Sequence, residues 1–341
     1  MPLEVTNIAD LIIASQKFYD PNKFTDLTTD LTKYPAFKRL MKSSETQNGT
    51  EISVNLATVA ASATIWRSMD SVDNYAIVDG LKTGTCPWRH ANWNWSIDER
   101  ETAVNSGSAT KILDLLKFRR HQSWVGAANQ FEAAFWGKPT DSTDVLTYWG
   151  IRNYIVSNAS EGFNGGNASG FTTGNIHNSS TITRWKNFTN QYTNVSMPDL
   201  VRKIRRAQRL TDFEPPVDAD EARKIGSNCE MYVNIDTITE LEELVGQQND
   251  NLGTDLDKYK DQVRIGQCAV KYCPTLDSDS QDPVIGINWD ALGYVFLDGR
   301  KAKEKKPKTH PLDHLKVVVD VDNSGNLICR NRRSLFIVNK A

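Results

Sequence analysis

The chain has 341 residues, with 40 Lys and Arg against 42 Asp and Glu, a net charge of −2 and 39% hydrophobic content. This balance excludes the strong overall positive field of a dedicated nucleic-acid binder, and the apolar fraction suffices to bury one large domain or two to three smaller ones. The opening MPLEVTNIADLIIASQ carries acids where a secretion signal needs a basic region, and no apolar run approaches the ~18 residues of a membrane span, so a soluble, cytoplasmically made protein is expected.

Residues 1–49, broken by Pro2, Pro21 and Pro35, read as an extended arm with a helical turn or two. From Thr50, EISVNL alternates Ile52, Val54 and Leu56, and CPWRHANWNWSI alternates Trp93, Trp95 and Ile97. These predict two strands of a hairpin-like excursion with about 40 residues between start and return. Trp88, Trp93 and Trp95 are a heavy aromatic load for such an element, and aromatics concentrate in cores and interfaces.

The strongest helical signal runs from Ser106 to Gly137. Ile112, Leu113, Leu116, Trp124, Ala127, Ala128, Phe131 and Phe135 fall at spacings of three and four, apart from a gap at Arg120, with Ser106 or Ser108 as cap and Gly137 as stop. At 1.5 Å per residue the helix is roughly 45 Å long, against ~11–12 residues for an ordinary one, so it is expected to run the length of the molecule.

Residues 140–195 are polar, with a strand or short helix at TYWGIRNYIV. SMPDLVRKIRRAQRL follows, with Ser196 as cap, Pro198 in the first turn, and Leu200, Val201, Ile204, Ala207 and Leu210 on one face, an amphipathic helix. YVNIDTITELEELVGQQNDN reads as a strand ending near Ile235 and then a short helix, and RIGQCAVKYCP, PVIGINW and GYVFLD supply strands of an α+β or α/β unit. After the charged RKAKEKKPKTHP, a final hairpin is expected, with LKVVVDVD going out, NSGN turning and LICRNRRSLFIV returning.

The sequence carries few chemical motifs. GGNASGFT, residues 165–172, has the spacing of a phosphate-binding loop in Gly165, Gly170 and Thr172, but Phe171 stands where the lysine is needed and no helical period follows, so it reads as a surface loop. Cys86, Cys229, Cys268, Cys273 and Cys329 are odd in number and lack a second close pair, which favours buried or free thiols over zinc. His310 and His314 are separated by Pro311, and DSDSQD lacks the glycine and closing glutamate of a calcium loop. No nucleophile motif occurs, so no catalytic, cofactor-binding or metal residue is assigned. Sequons at Asn48, Asn94, Asn158, Asn167, Asn178, Asn187 and Asn194 follow from an Asn/Ser/Thr-rich composition. Basic clusters stand at Arg119 and Arg120, at Arg202, Lys203, Arg205, Arg206 and Arg209, and at Arg330, Arg332 and Arg333. They are solvated faces on a monomer, or partners for acids on neighbouring copies or for nucleic-acid phosphates. Segregated sign within a balanced total suits self-assembly.

The order of arm, two-stranded excursion, long helix, α/β unit and strand return resembles the major capsid proteins of tailed double-stranded DNA bacteriophages with the HK97-type fold. CPWRHANWNWSIDERE running into NSGSATKILDLLKFRRHQSWVGAANQFEAAFWG, EGFNGGNASGF before RWKNFTNQYTNVS, LEELVGQQNDNLG, QDPVIGINW and ICRNRRSLFIV carry that resemblance over roughly residues 50–341. It implies an α+β fold with an N-terminal arm (1–49), an extended two-stranded E-loop (50–102), and a P-domain region (103–194) holding the spine helix (106–136) and a Gly/Asn-rich loop (158–180). An axial A-domain (195–305) and C-terminal strands returning to the P-domain (306–341) complete it.

The same resemblance implies a non-enzymatic protein without cofactor or metal, self-assembling as hexamers and pentamers into an icosahedral virion shell in the bacterial host cytoplasm. Its inner face meets packaged double-stranded DNA without sequence preference. Portal and decoration proteins are further partners, membrane is not, and a separate scaffolding protein is expected because only about 50 residues precede the E-loop. Trp88, Trp93, Trp95, Phe163, Phe171, Arg119, Arg120, Arg202, Arg205, Arg206, Arg330, Arg332 and Arg333 are the expected inter-subunit contacts, with Phe163 and Phe171 anchoring the Gly/Asn-rich loop on a neighbour. The alternatives are a Gly-rich-loop NTP-binding protein and a secreted glycan-binding module.

Overall fold

The computed structural model describes residues 33–43, 45–58, 69, 79–104, 109–171, 176–212, 228–249, 263–266 and 268–341. Most of the expected arm, much of the excursion between its strands, the caps Ser106 and Ser108, Thr172, and residues 213–227 and 250–262 of the expected A-domain lie outside these. The chain divides into two units. One draws on Met1–Asn48, Trp88–Phe135 and Val295–Asn326, the other on Gly49–Pro87, Trp136–Tyr294 and Leu327–Ala341.

In the first unit the first described elements are α1 (Pro35–Lys42) and β1 (Thr46–Gln47). The tryptophan-bearing strand β4 (Arg89–Asp98) pairs antiparallel with β14 (Asp313–Cys329) from Asp98↔Lys316 to Arg89↔Gly325. Alternation puts Trp95 and Ile97 inward with Val317 and Val319 from β14, and Leu116 closes that cluster from the long helix α3 (Ala109–Trp136). The sheet is completed by β11 (Leu292–Leu297), β12 (Lys303–Glu304) and β13 (Lys308–His310), with β1 pairing parallel to β11. A short helix α2 (Glu99–Val104) precedes α3, whose 28 residues span about 42 Å.

In the second unit β2 (Glu51–Ala57) and β3 (Leu81–Pro87) form a two-stranded antiparallel ladder from Glu51↔Pro87 to Ala57↔Leu81. A mixed seven-stranded sheet has the order β5 (Gly162–Gly165), β6 (Asn187–Tyr192), β15 (Phe336–Lys340), β10 (Val284–Asn288), β7 (Cys229–Val233), β9 (Cys268–Tyr272) and β8 (Arg264–Ile265). Two helices, α4 (Arg202–Leu210) and α5 (Ile235–Asn249), send Ile204, Ala207 and Leu241, and the π-helical turn Met197–Val201 leading into α4 sends Leu200 and Val201, into one cluster with Phe188, Met231, Val233, Val270, Val284 and Phe336. The opposite strand positions, Tyr232, Ile285, Ile287 and Ile337, are buried as well, which is why these strands read as continuous apolar runs.

Four sequence expectations change. The partner of EISVNL is Leu81–Pro87; the Trp93–Trp95–Ile97 strand instead belongs to the other sheet, because β14 offers it ten cross-strand partners and an apolar face. NSGN makes no turn: Asn323, Ser324 and Gly325 continue β14 opposite Ala91, His90 and Arg89. Their polar groups are satisfied in the extended form, Asn323 Oδ1 accepting from Ala302 N at 3.2 Å and Ser324 Oγ lying 2.8 Å from His90 Nδ1. As a result, residues 306–326 fall in the unit of the long helix and 327–341 in the other. Finally, Leu210 is 43% exposed and Gln208 takes the inward place, donating from Nε2 to Ile265 O at 2.8 Å, and Ser196 makes no side-chain cap bond.

Candidate subunit-contact residues

The Gly/Asn-rich loop is held by its own unit. Arg332 is fully buried (0% exposed), and its guanidinium fork spends its donors on carbonyls. Nε donates to Tyr154 O at 2.5 Å, Nη1 to Trp185 O at 3.1 Å, and Nη2 to Gly166 O at 2.6 Å and Gly165 O at 3.3 Å, with Asn187 Oδ1 a further acceptor at 3.3 Å. Burial lowers the Arg332 pKa to about 10, so it stays charged at neutral pH. The same burial pushes the Cys329 thiol up to about 12, with the Arg332 charge opposing the rise. Gly165 and Gly166 therefore turn carbonyl oxygens towards a cation, the reverse of a phosphate loop, which turns N–H groups towards an anion. Gly165 admits nothing larger, since a Cβ there would lie 1.8 Å from Asn187 Oδ1.

Phe171 is 5% exposed, its ring edge-on to Trp149 with centroids 6.3 Å apart. Asn167 Oδ1 accepts from Ser179 N at 3.0 Å, and Lys138 Nζ donates to Ser169 O at 2.8 Å, so side chains on both sides tie the loop down. Phe163 is half-buried against Phe188 (5.6 Å), with the Arg333 guanidinium 4.4 Å above its ring. Phe171 and Arg332 are thus internal to the chain and give a neighbour nothing to hold. The sequence expectation for them is corrected.

In the first unit, Trp95 is 4% exposed within the β4–β14 core and is likewise corrected. Trp93 stands edge-on to Trp124 (5.3 Å) and Phe131 (5.9 Å) of α3, half-buried, and Trp88 is also half-buried. Arg120 Nε reaches Glu304 Oε1 at 2.8 Å, which also accepts from Trp124 Nε1 at 3.3 Å, and Arg119 pairs with Glu101 at 3.0 Å. The gap in the apolar period at Arg120 is therefore a salt bridge to the charged segment near residue 304. One residue was missed by the sequence reading. Glu132, 0% exposed in α3, accepts from Phe37 N at 2.8 Å and Ala36 N at 3.3 Å, supplying the N-terminal cap that α1 lacks. An acid at an otherwise apolar helical position was the available signal.

The arginines of α4 are different, because they face solvent. Arg202, Arg205, Arg206 and Arg209 are all exposed, and among the described residues Arg206 alone of them forms a salt bridge, with Glu161 at 2.8 Å. Arg330 and Arg333 are half-buried beside β15. All five cysteines are buried, and no group of three or more His, Cys, Asp or Glu among the described residues is placed to hold a metal. A cavity of about 10 Å³ bordered by Gln208, Met231, Gly286 and Phe336 has room for one water. No described helix is long and apolar enough to cross a membrane.

No family model and no curated protein matches the chain. Among solved structures, the Cyanophage A-1(L) capsid asymmetric unit is similar over 94% of this chain and 94% of that one, at 14% identity and TM-score 0.56. A chain of Microbacterium phage Oxtober96 is similar over 100% of both, at 10% identity and TM-score 0.55. The mature capsid of bacteriophage PhiM1 is similar over 87% of this chain and 83% of that one, at 8% identity and TM-score 0.52. The chain has the HK97-like capsid fold. Within that fold the long helix, the tryptophan strand and the seven-stranded sheet are parts of one full-length architecture, shared at identities too low for side-chain motifs to carry it.

Proposed function

We propose that the chain is the major capsid protein of a tailed bacteriophage, a non-enzymatic shell subunit that assembles as hexamers and pentamers around double-stranded DNA. The observation that carries this reading is the HK97-like fold over essentially the whole chain. In this reading residues 51–87 contain the E-loop, Ala109–Trp136 is the spine helix, and the sheet unit with α4 and α5 is the axial domain. A separate scaffolding protein, a portal and a decoration protein are the further partners, and assembly takes place in the host cytoplasm.

Two features weigh against the alternatives. The carbonyls of Gly165 and Gly166 are committed to Arg332, and the sequon residue Asn187 is 0% exposed, its side chain exchanging hydrogen bonds with Val156 N and Val156 O at 3.0 Å each. The deciding experiment is electron microscopy of the expressed full chain, alone and with its phage's scaffolding protein. Closed shells of uniform size are expected; a stable small oligomer under both conditions overturns the reading.

A further inference from the structure

We propose that the arginine face of α4 docks on the acidic face of α5 in a second copy of this chain, with the two helices antiparallel. The proposal rests on the shell-forming reading above and names two surfaces through which copies meet. α4 turns Ile204, Ala207 and Gln208 inward and leaves Arg202, Arg205, Arg206 and Arg209 exposed, at i, i+3, i+4 and i+7 on one face. Lys203 is engaged by Asp199 and Arg206 by Glu161, while Arg202, Arg205 and Arg209 enter no salt bridge or hydrogen bond among the described residues.

α5 turns Thr237 and Leu241 inward and leaves Asp236, Glu240 and Glu243 exposed at i, i+4 and i+7. These three also make no salt bridge or hydrogen bond among the described residues. The nearby Lys340, whose ammonium responds to the Glu240 charge, is bonded to Asp282. Both helices sink their apolar sides into one cluster, so each keeps its charged face outward.

The register favours the match. Reading α4 forwards, the uncommitted arginines are separated by three residues and then four. Reading α5 backwards from Glu243 through Glu240 to Asp236, the acids are separated by three and then four. Each row spans roughly 10 Å. Antiparallel contact therefore sets Arg202 against Glu243, Arg205 against Glu240 and Arg209 against Asp236, whereas a parallel lay would need Arg206, which Glu161 holds. The proposed contact is head-to-tail, one copy giving its α4 to the next while its own α5 receives a third, the type that closes into rings. Opposed charge rows of this kind set register and reject wrong partners.

The test uses the full chain and three variants: Arg202→Glu/Arg205→Glu/Arg209→Glu, Asp236→Lys/Glu240→Lys/Glu243→Lys, and the two triples combined. Shells are counted by electron microscopy and folding is followed by circular dichroism. Either triple alone should lose closed shells and the combined variant should regain them. Triples that assemble like the parent overturn the proposal, as does a folded combined variant that stays unassembled. A first triple that forms normal shells but loses bound DNA also overturns it, by assigning the arginines to nucleic acid. If a triple fails to fold, the paired change Arg205→Cys/Glu240→Cys decides instead: a short bismaleimide should give a ladder of linked chains from assembled shells, and its absence overturns the proposal. A parent chain that forms no shells would instead remove the shell-forming reading itself.

Discussion

Glu132 accepts the backbone N–H of Phe37 at 2.8 Å, so a fully buried carboxylate in the long helix closes the start of a helix 95 residues earlier in the chain. Pro35 opens that helix, and the side chain at its own N-cap position, Tyr34, makes no capping bond to the helix. Tyr34 adds a second tie, donating from its hydroxyl to Asn129 Oδ1 at 2.5 Å. Glu132→Gln keeps the size but replaces one acceptor oxygen with a donor facing an N–H. We expect it to cost about 1.5–3 kcal/mol, the range for a hydrogen bond to a charged group, measured by urea denaturation of the unassembled chain. An unchanged midpoint would show that solvent caps the helix equally well.

Arg332 is the centre of the second unit's loop packing. Lysine has a point charge and three donors where the guanidinium fork reaches carbonyls from Tyr154, Trp185, Gly165 and Gly166. Arg332→Lys should therefore strand at least one buried carbonyl and destabilise by about 1–3 kcal/mol, and Arg332→Ala by more. A charge-only role predicts that the lysine variant melts like the parent, so the comparison of the two melts separates the explanations.

Glycines of this chain should respond to alanine with opposite signs. At Gly170, φ is +87° and a Cβ would lie 2.5 Å from Thr140 O, so Gly170→Ala strains the backbone and meets a carbonyl that cannot move freely. Gly126 sits exposed inside α3 with nothing within 4 Å of the added carbon. Gly126→Ala should stabilise by roughly 0.5–1 kcal/mol. Thermal melts of the two variants side by side check both signs, and a destabilised Gly126→Ala would mean that the helix is not continuous at that point.

The parts of the fold that were legible in the sequence are those set by local period. α3 follows from its three-and-four spacing, and the inward side of β4 follows from Trp93, Trp95 and Ile97. What the period could not supply was partnership. LKTGTCP gives a weak strand signal because it pairs only with β2, and both strands of that ladder leave every second residue exposed. NSGN looked like a turn because its residues favour turns when alone; opposite Ala91, His90 and Arg89 their side chains find partners in the extended form. Arg332 sits in a run, RNRRS, that reads as a surface cluster. Its burial depends on carbonyls contributed by residues 154–185, and no spacing rule connects those to position 332. The exposed arginines of α4 were legible for the opposite reason, since a helix surface is decided by its own period.

Acid should loosen the entry to α4. Burial pushes the Asp199 pKa up, but the Asn194 N–H at 2.9 Å, the Lys203 ammonium at 2.5 Å and the Thr193 N–H at 2.7 Å outweigh it and hold the group at about 2. A carboxyl whose folded pKa lies below its unfolded value of ~3.9 contributes stability that is complete above that value and is lost as pH falls towards 2. We therefore expect the midpoint of urea denaturation to fall between about pH 4 and pH 2, and Asp199→Asn to flatten that fall while lowering stability at neutral pH. The asparagine keeps an acceptor for the two N–H groups but not the charge that pairs with Lys203. A variant that retains the full acid dependence would place its origin at another low-pKa carboxyl, such as Asp144, which hydrogen bonds from the Thr147 side chain and then its N–H hold at about 2.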